Sequence, residues 1–199
     1  MNENTKSRQE KEPLLHTLYD FAEMLVIAVI VVFVLFMAAI RPCRVDGDSM
    51  NKTLEHGEML LISDLFYTPK TGDVIVFHQT SELDLRYNEP IVKRVIAVGG
   101  QYVKIDTELG KVYVSDDESF SEDEVLKEDY AYLDRGYWED YYRVSGKVFH
   151  VPSGSVFVLG DNRNNSSDSR YEIIGMVDCR RILGKVICRL TPFDKFGKI

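Results

Sequence analysis

Cysteine, histidine and positive charge are all in short supply in this sequence. Three cysteines cannot build a disulfide framework, so burial of apolar side chains has to hold the fold. Four histidines, none at the spacing of metal ligands, predict no metal site, and we expect no cofactor. With 32 acidic against 24 basic residues, the net charge of −8 makes the chain a poor binder of nucleic acid.

No polar side chain occurs between Met24 and Ile40, a run of 17 residues. As a helix this run would be about 26 Å long, close to the roughly 30 Å of a bilayer core. A buried core helix would normally keep a polar face. A cleaved secretory signal would have a basic start, a shorter apolar run and a small-residue cleavage site. We therefore predict a single uncleaved membrane anchor over residues 21–40, preceded by a tail over residues 1–20.

Negative charge is concentrated in one segment, about residues 106–142. It carries 13 acidic and three basic residues, a net charge of −10 that leaves +2 for the rest of the chain. Such a run is usually a solvated face or a mobile loop, and a partner-binding surface is the functional alternative. The segment also holds Trp138 and six tyrosines. These aromatic residues predict that its second half packs on the domain.

The remainder of residues 41–199 consists of short β-rich runs separated by turn residues. Val, Ile, Phe and Tyr dominate the runs, and Gly, Asp, Asn, Ser or Pro lie between them. The predicted strands are 58–62, 73–78, 91–98, 102–105, 111–114, 147–151, 155–159, 173–177 and 181–190. So many short strands favour a mainly β fold with a barrel or folded sheets, following the single N-terminal anchor.

Two segments present a serine and a lysine in settings that suit chemistry. The turn DGDSM, residues 46–50, offers Ser49 nine residues after Ile40, although a serine in such a turn is usually only a turn former. In strand 91–98, alternation places Lys93 on one face with Ile91, Val95 and Ala97. Such a lysine is either an edge-strand or snorkelling residue, or a general base whose pKa is lowered by burial.

A third segment, VFVLGDNRNNSSDSR at residues 156–170, runs from a strand into a dense polar turn. It contains Asp168 and Arg170 two positions apart, together with several hydroxyls that can orient other groups by hydrogen bonds. A generic loop is polar too, so the segment is informative only in combination with the serine turn and the lysine strand.

These segments, with TGDVIVF at residues 71–77, resemble the bacterial type I signal peptidases in content and in order. The resemblance covers roughly residues 25–197, apart from the acidic segment. GDSM is similar to the nucleophile box of the family, IVKRVIAVGG to its lysine box, and residues 156–170 to its last box. The resemblance implies a membrane-anchored, β-rich serine endopeptidase of the Gram-positive type. Such an enzyme removes signal peptides from exported preproteins, cleaving after small residues as in Ala-x-Ala.

The same resemblance implies a Ser/Lys dyad, with roles carried over residue by residue. Ser49 would be the nucleophile, and its backbone N–H would contribute to the oxyanion hole. Lys93 would take the serine proton as general base and then protonate the leaving amine. Ser166 would orient the lysine amine, and Asp168 with Arg170 would brace the site.

The nucleophile box departs from the family pattern at its turn. Met50, which is expected to position substrate, is followed by Asn51-Lys52, where the family usually has proline at the second position after the methionine. Gly47 stands where Gram-negative relatives have a serine that donates to the oxyanion, and Gram-positive relatives commonly have glycine there. The turn after the lysine strand reads Gly99-Gly100 in place of Pro-Gly. These departures remove no reacting group.

The orientation of the anchor follows from the resemblance alone, because three basic residues flank the anchor on each side. The resemblance implies a single-pass protein of the plasma membrane with a cytoplasmic N-terminus and residues 41–199 outside. Its partners would be preproteins and the lipid bilayer, with the secretion translocon nearby. In an exported domain Cys179 and Cys188 can pair or stay free, and we favour free thiols.

Two rival functions fit parts of the same pattern. A self-cleaving Ser/Lys peptidase of the repressor type shares the dyad, but it would have a DNA-binding half and no anchor. A degenerate, membrane-anchored homologue would bind substrates or partners without cutting them, whereas this sequence retains all the expected reacting residues.

Overall fold

The computed structural model describes residues 4–79, 89–133, 144–197 and 199. The chain divides into two compact units, residues 1–40 and residues 41–199. The first unit contains one long helix, and the described part of the second is built mainly from β-strands in two sheets. The predicted fold class, a mainly β protein with one N-terminal apolar helix, is confirmed.

The N-terminal helix, α1, covers Asn4–Ala39 and so begins well before the predicted anchor. Within it, His16–Leu35 is long and apolar enough to cross a membrane, by length and composition. None of this 20-residue segment is buried in the structure. The length and composition of this segment are compatible with the predicted membrane anchor.

The strands of the second unit are short and antiparallel wherever their register is described. The larger sheet consists of β1 (Ile40–Arg44), β2 (Met59–Ser63), β3 (Val74–His78), β4 (Pro90–Val98), β8 (Ser155–Leu159), β9 (Val177–Asp178) and β10 (Ile182–Thr191). The smaller sheet consists of β5 (Tyr102–Asp106), β6 (Lys111–Ser115) and β7 (Val148–His150). The strand orders are β1-β2-β10-β3-β4-β8-β9 and β6-β5-β7.

Buried apolar side chains form three clusters that fix these sheets. One cluster joins the two sheets, with Phe157 and Ile96 from the larger sheet packed with Phe149 and Ile105 from the smaller one. A second contains Met50 and Leu54, which follow the serine turn, together with residues of β2 and β3. The third contains residues of β3, β4 and β8. Complete burial of each such side chain contributes about 1.5–3 kcal/mol, so the serine turn is attached to a stable base.

The predicted strands agree with the structure to within one residue at each end, except for one. The prediction of a strand over residues 173–177 is wrong, because the N–H groups of Ile174 and Gly175 donate to the Tyr171 carbonyl and form a turn. Ile174 is buried in the third cluster, so its apolar character reflects packing and not strand pairing. Strand β1 is absent from the prediction because its first residue, Ile40, continues the apolar run of the anchor.

Strict alternation along β4 also fails at one point. The pairing of β4 with β8 shifts register between Val95 and Ala97, which marks a β-bulge. Ala97 therefore packs with Ile96 in the cluster between the sheets, while Val95 packs in the third cluster.

The acidic segment contains regular structure at its start. Its first residues complete β5 and form β6, joined by a tight hairpin in which Asp106 pairs with Lys111. A single 3-10 turn, Glu122–Glu124, follows, and residues 128–133 then run beside residues 160–163. The predicted packing of the second half on the domain holds for these described residues, and residues 134–142 lie outside the described part of the chain.

Candidate active site

Ser49 and Lys93 lie together, although 43 residues separate them in the chain. The Lys93 Nζ is 2.7 Å from the Ser49 Oγ, and the amine also donates to the Val92 carbonyl at 2.9 Å. Ser49 lies in the turn directly before Met50, a residue of the second cluster, and Lys93 lies near the middle of β4. A hydroxyl in hydrogen-bond contact with an amine is the arrangement needed for proton transfer between the two.

Burial changes the protonation of Lys93. The side chain is 3% exposed, and this burial is the main reason that its pKa falls from 10.5 to about 8. The negative charges of Asp168 and Asp161 raise the pKa, and the positive charge of Arg170 lowers it, but burial dominates. At pH 7 about a tenth of such amines are neutral, against roughly one in 3,000 at a pKa of 10.5. A neutral amine can accept the Ser49 proton.

The turn that carries Ser49 is held on both sides. Gly47 adopts a φ of +88°, a left-handed conformation that favours glycine, and its N–H donates to the His56 Nδ1 at 3.1 Å. On the other side the Asn162 N–H donates to the Ser49 carbonyl at 2.9 Å. The Asn162 side-chain amide donates to the Asp48 carbonyl at 3.1 Å. None of the described hydrogen bonds uses the Ser49 N–H, which leaves this donor for a ligand.

Two buried ion pairs flank the dyad. Arg94, the residue after the lysine, donates from Nε and Nη2 to both carboxylate oxygens of Asp161 at 2.9 and 2.7 Å. Arg170 binds Asp168 in the same bidentate way at 2.7 and 2.8 Å. Burial opposes the ionisation of Asp168, but the Arg170 guanidinium and the Gly160 N–H hold the pKa of its carboxyl below the usual value. The predicted pairing of Asp168 with Arg170 is present in the structure.

Gly160 allows the polar turn to approach the serine turn. A Cβ on this residue would lie 2.2 Å from the Ser166 Oγ and 2.5 Å from the Ser49 carbonyl oxygen, distances that no side chain tolerates. Ser166 is therefore next to the serine turn, as its predicted role requires. Its hydroxyl is buried near the Asp168 carboxyl and helps to lower the pKa of that group. The described hydrogen bonds of the Lys93 amine go to the Ser49 hydroxyl and the Val92 carbonyl, so none of them gives Ser166 its predicted role of orienting that amine.

A cavity of about 430 Å³ opens at the dyad. Ser49 and Lys93 line it, together with apolar side chains that include Val45, Leu60, Val76 and Val92. Met50, the residue after Ser49, is fully buried in the second cluster and so attaches the serine turn to that cluster. All three cysteines are free thiols, and Cys43 also lines the cavity.

Several contacts at the site are not predicted from the sequence. Arg94, Asp161 and Asn162 lie in the segments singled out above, but the Arg94–Asp161 pair and the contact of Asn162 with the serine turn form between distant parts of the chain. His56, nine residues after Gly47, belongs to none of those segments. Glu128, Tyr130 and Tyr132 come from the acidic segment, which composition alone describes as a solvated run. Alternation of polar and apolar residues places Arg94 on the opposite face from Lys93, but it does not predict the partner of Arg94.

Comparison with known proteins identifies the family. A model of the family "Signal peptidase, peptidase S26" matches residues 18–191. The chain is 31% identical over 182 residues to a probable signal peptidase I-1 of Synechocystis sp., covering 88% of this chain and 84% of that protein. It is 30% identical over 186 residues to signal peptidase IB of Staphylococcus aureus, covering 90% and 92%. A solved structure, a signal peptidase I from Enterococcus faecalis, is similar with a TM-score of 0.39 and 26% identity, covering 60% of this chain and 97% of that one.

The structure brings the Ser49 hydroxyl beside the buried Lys93 amine in a mainly β unit. The chain belongs to the signal peptidase family, peptidase S26, which makes it a proteolytic enzyme.

Proposed function

We propose that this protein removes signal peptides from exported preproteins with a Ser49/Lys93 dyad. The observation that carries the proposal is the 2.7 Å contact between the Ser49 hydroxyl and the amine of a lysine that is 3% exposed. Lys93 is the one buried lysine among the described residues, and burial is the means by which a lysine becomes a base near neutral pH.

The reaction proceeds through an acyl-enzyme. The neutral Lys93 amine takes the Ser49 proton as Oγ attacks the scissile carbonyl carbon, and the resulting ammonium protonates the leaving amine as the C–N bond breaks. Lys93, neutral again, then takes a proton from water, whose oxygen attacks the Ser49 ester. The ester bond breaks, Ser49 regains its proton, and the signal peptide leaves with a new carboxylate.

Backbone groups of the serine turn stabilise the oxyanion. The Ser49 N–H is the donor that this turn offers, and removal of one such donor typically lowers kcat by about 10²–10³-fold in other peptidases. Asp168 and Arg170 brace the polar turn, which also carries Ser166. No substrate contact supports the predicted positioning role of Met50, because its side chain is fully buried in the second cluster and is not among the residues that line the cavity.

The cavity beside the dyad favours small side chains before the cleaved bond. The apolar part of its lining, Val45, Leu60, Val76 and Val92, suits alanine-like residues, and polar residues such as Asp48 and Asn165 make up other parts of the lining. We therefore expect cleavage after an Ala-x-Ala sequence.

The apolar helix α1 anchors the enzyme in the plasma membrane as a single pass, with the N-terminus cytoplasmic and the catalytic unit outside. Exposed aromatic side chains on the catalytic unit, Phe66, Phe193 and Phe196, supply apolar contact with lipid headgroups and acyl chains. This arrangement puts the site where a preprotein leaves the translocon, still tethered by its signal peptide.

The test is cleavage of a preprotein by the full-length enzyme in detergent micelles, followed by mass and N-terminal sequence of the product. Ser49→Ala and Lys93→Ala are each expected to abolish cleavage, because each removes one half of the proton transfer. The exposed residues Ser153 and Lys127 give matched controls, and Ser153→Ala and Lys127→Ala should cleave at the wild-type rate. Near-normal turnover by Ser49→Ala or Lys93→Ala would contradict the dyad.

A further inference from the structure

The acidic segment contacts the loop of residues 160–163, which follows β8, through residues 128–132, here called the strap. The Tyr132 N–H donates to the Asp161 carbonyl at 2.7 Å, and the Tyr132 carbonyl accepts the Arg163 N–H at 2.9 Å. Between these two contacts the Asn162 N–H points the other way and donates to the Ser49 carbonyl at 2.9 Å. This is the bonding pattern of parallel strands, so Asn162 is clamped between the strap and the nucleophile turn.

A buried ion pair attaches the strap to the same loop. Both terminal nitrogens of Arg163 donate to the two carboxylate oxygens of Glu128, and the two side chains are 2% and 11% exposed. The Arg163 Nε also donates to the Gly160 carbonyl at 3.1 Å. Glu128 thereby holds the loop at its first residue, Gly160, which lies against the Ser49 carbonyl.

An aromatic contact makes a second attachment. The Tyr130 ring lies over the Arg94 guanidinium at 3.9 Å, and the Tyr130 hydroxyl donates to Glu128 at 3.2 Å. Arg94 in turn holds the Asp161 carboxylate. A third contact joins the strap to the chain beyond the nucleophile, because the Lys52 amine lies 4.7 Å from the centre of the Tyr132 ring.

The first half of the acidic segment makes contacts of the same chemical kinds elsewhere. Lys111 pairs with Glu122 at 3.0 Å, and both side chains are largely exposed. Lys104 lies over the Phe120 ring at 5.5 Å. These contacts attach the segment to strands β5 and β6, so they provide controls with matched chemistry.

We propose that the strap is a positioning element of the active site. Glu128 and Tyr130 fix the loop of residues 160–163, and this loop fixes the Ser49 carbonyl through Asn162. The direction of the Ser49 Oγ toward Lys93 follows from the position of that carbonyl. The inference rests on the proposed dyad, for which geometry is decisive, because a displacement of about 1 Å at a reacting group can lower a rate by about 10²-fold.

The test compares strap variants of the full-length enzyme in detergent, with kcat and KM for a signal-peptide substrate. Glu128→Gln and Tyr130→Leu are each expected to lower kcat by about tenfold while KM stays within about twofold, because the reacting atoms move and the cavity does not. Tyr130→Phe keeps the ring over Arg94 and should retain most of the wild-type kcat. The controls Glu122→Gln and Phe120→Leu should leave kcat unchanged.

Hydrogen exchange at Asn162 separates positioning from a loss of overall stability. The Asn162 N–H is expected to exchange faster in Glu128→Gln than in Glu122→Gln, while amides in β4 and β8 exchange at equal rates in the two variants. Wild-type kcat in both Glu128→Gln and Tyr130→Leu would overturn the inference, and so would an equal decrease in the two controls. Unchanged exchange at Asn162 would also overturn it.

Ser49→Ala, measured in the same assay, keeps the two proposals apart. Wild-type rates in the strap variants, with no cleavage by Ser49→Ala, would refute the strap and leave the dyad intact. Cleavage by Ser49→Ala would refute the dyad, and exchange at Asn162 would still decide whether the strap holds the loop.

Discussion

Two buried arginines at the rim of the active site, Arg94 and Arg170, are ionised, whereas burial drives the lysine at its centre, Lys93, towards the neutral form. At the rim, Arg94 and Arg170 each donate two hydrogen bonds to a carboxylate, so their charges are compensated. At the centre, the described hydrogen bonds of Lys93 go to a hydroxyl and a carbonyl, neither of which carries charge. Pairing with a carboxylate therefore keeps the buried arginines of the rim ionised, whereas burial without such a partner drives the central amine towards the neutral form that a base requires.

The rim also limits the effect of its own acids on the centre. Asp168 and Asp161 raise the Lys93 pKa, and Arg170 lowers it, so the bidentate pairing removes part of the negative field that would keep the amine protonated. An arginine suits this place because its guanidinium stays charged when buried, whereas a lysine loses its proton. The arginines therefore hold the structure of the site, and the lysine takes part in its chemistry.

The largest expected effect on the free energy of unfolding comes from removing the carboxylate of the buried Arg94–Asp161 pair. Asp161→Asn leaves the buried Arg94 without its carboxylate and should lower the free energy of unfolding by about 3–5 kcal/mol. Asp178→Asn is the matched control, since it removes the acid from an exposed pair with Arg180 and should leave the unfolding midpoint unchanged. Thermal and urea unfolding of both variants in detergent measures the difference. Similar losses in the two variants would mean that burial of the rim pair is unimportant.

A smaller effect of opposite sign is expected at the centre. Below pH 8 the folded protein holds a buried amine whose pKa is about 2.5 below its unfolded value, which costs about 3 kcal/mol of stability. The wild type becomes more stable as the pH rises from 8 to 10.5, because the unfolded chain then binds more protons. Lys93→Met should therefore be the more stable protein at pH 7, and this advantage should vanish above pH 10.5.

The measurement for Lys93→Met is the unfolding free energy across that pH range, with the exposed Lys127→Met as the control that shows no such dependence. A stability advantage that persisted unchanged at high pH would assign the effect to packing of the methionine and not to protonation of the lysine.

Local patterns predict most of the fold, whereas the reacting roles of Ser49 and Lys93 come from the resemblance to a family. The alternating runs predict the strands because most of their side chains are buried on a pleated sheet, and the uninterrupted apolar run predicts α1. Taken alone, a lysine in an apolar strand fits an edge-strand or snorkelling residue as well as a general base. The run at 173–177 misleads because burial of Ile174 in a turn and in a strand gives the same apolar signal.

The remaining parts of the site depend on contacts between distant segments. Asn162 follows β8 and contacts Asp48 in the serine turn, 114 residues earlier in the chain, and no spacing in the sequence predicts that contact. The charge of residues 106–142 describes a solvated run correctly for Glu122, which is exposed, and incorrectly for Glu128, whose charge is neutralised by Arg163. The composition of the segment does not distinguish these two glutamates, whereas the structure shows that one is exposed and the other is paired with Arg163.

The pH dependence of kcat/KM tests the central claim most directly, because it reports the protonation of the free enzyme. If neutral Lys93 is the base, activity should rise along an acidic limb whose midpoint lies near 8, the pKa that burial gives this amine. A limb with its midpoint near 10.5, or a flat profile from pH 6 to 10, would contradict the account.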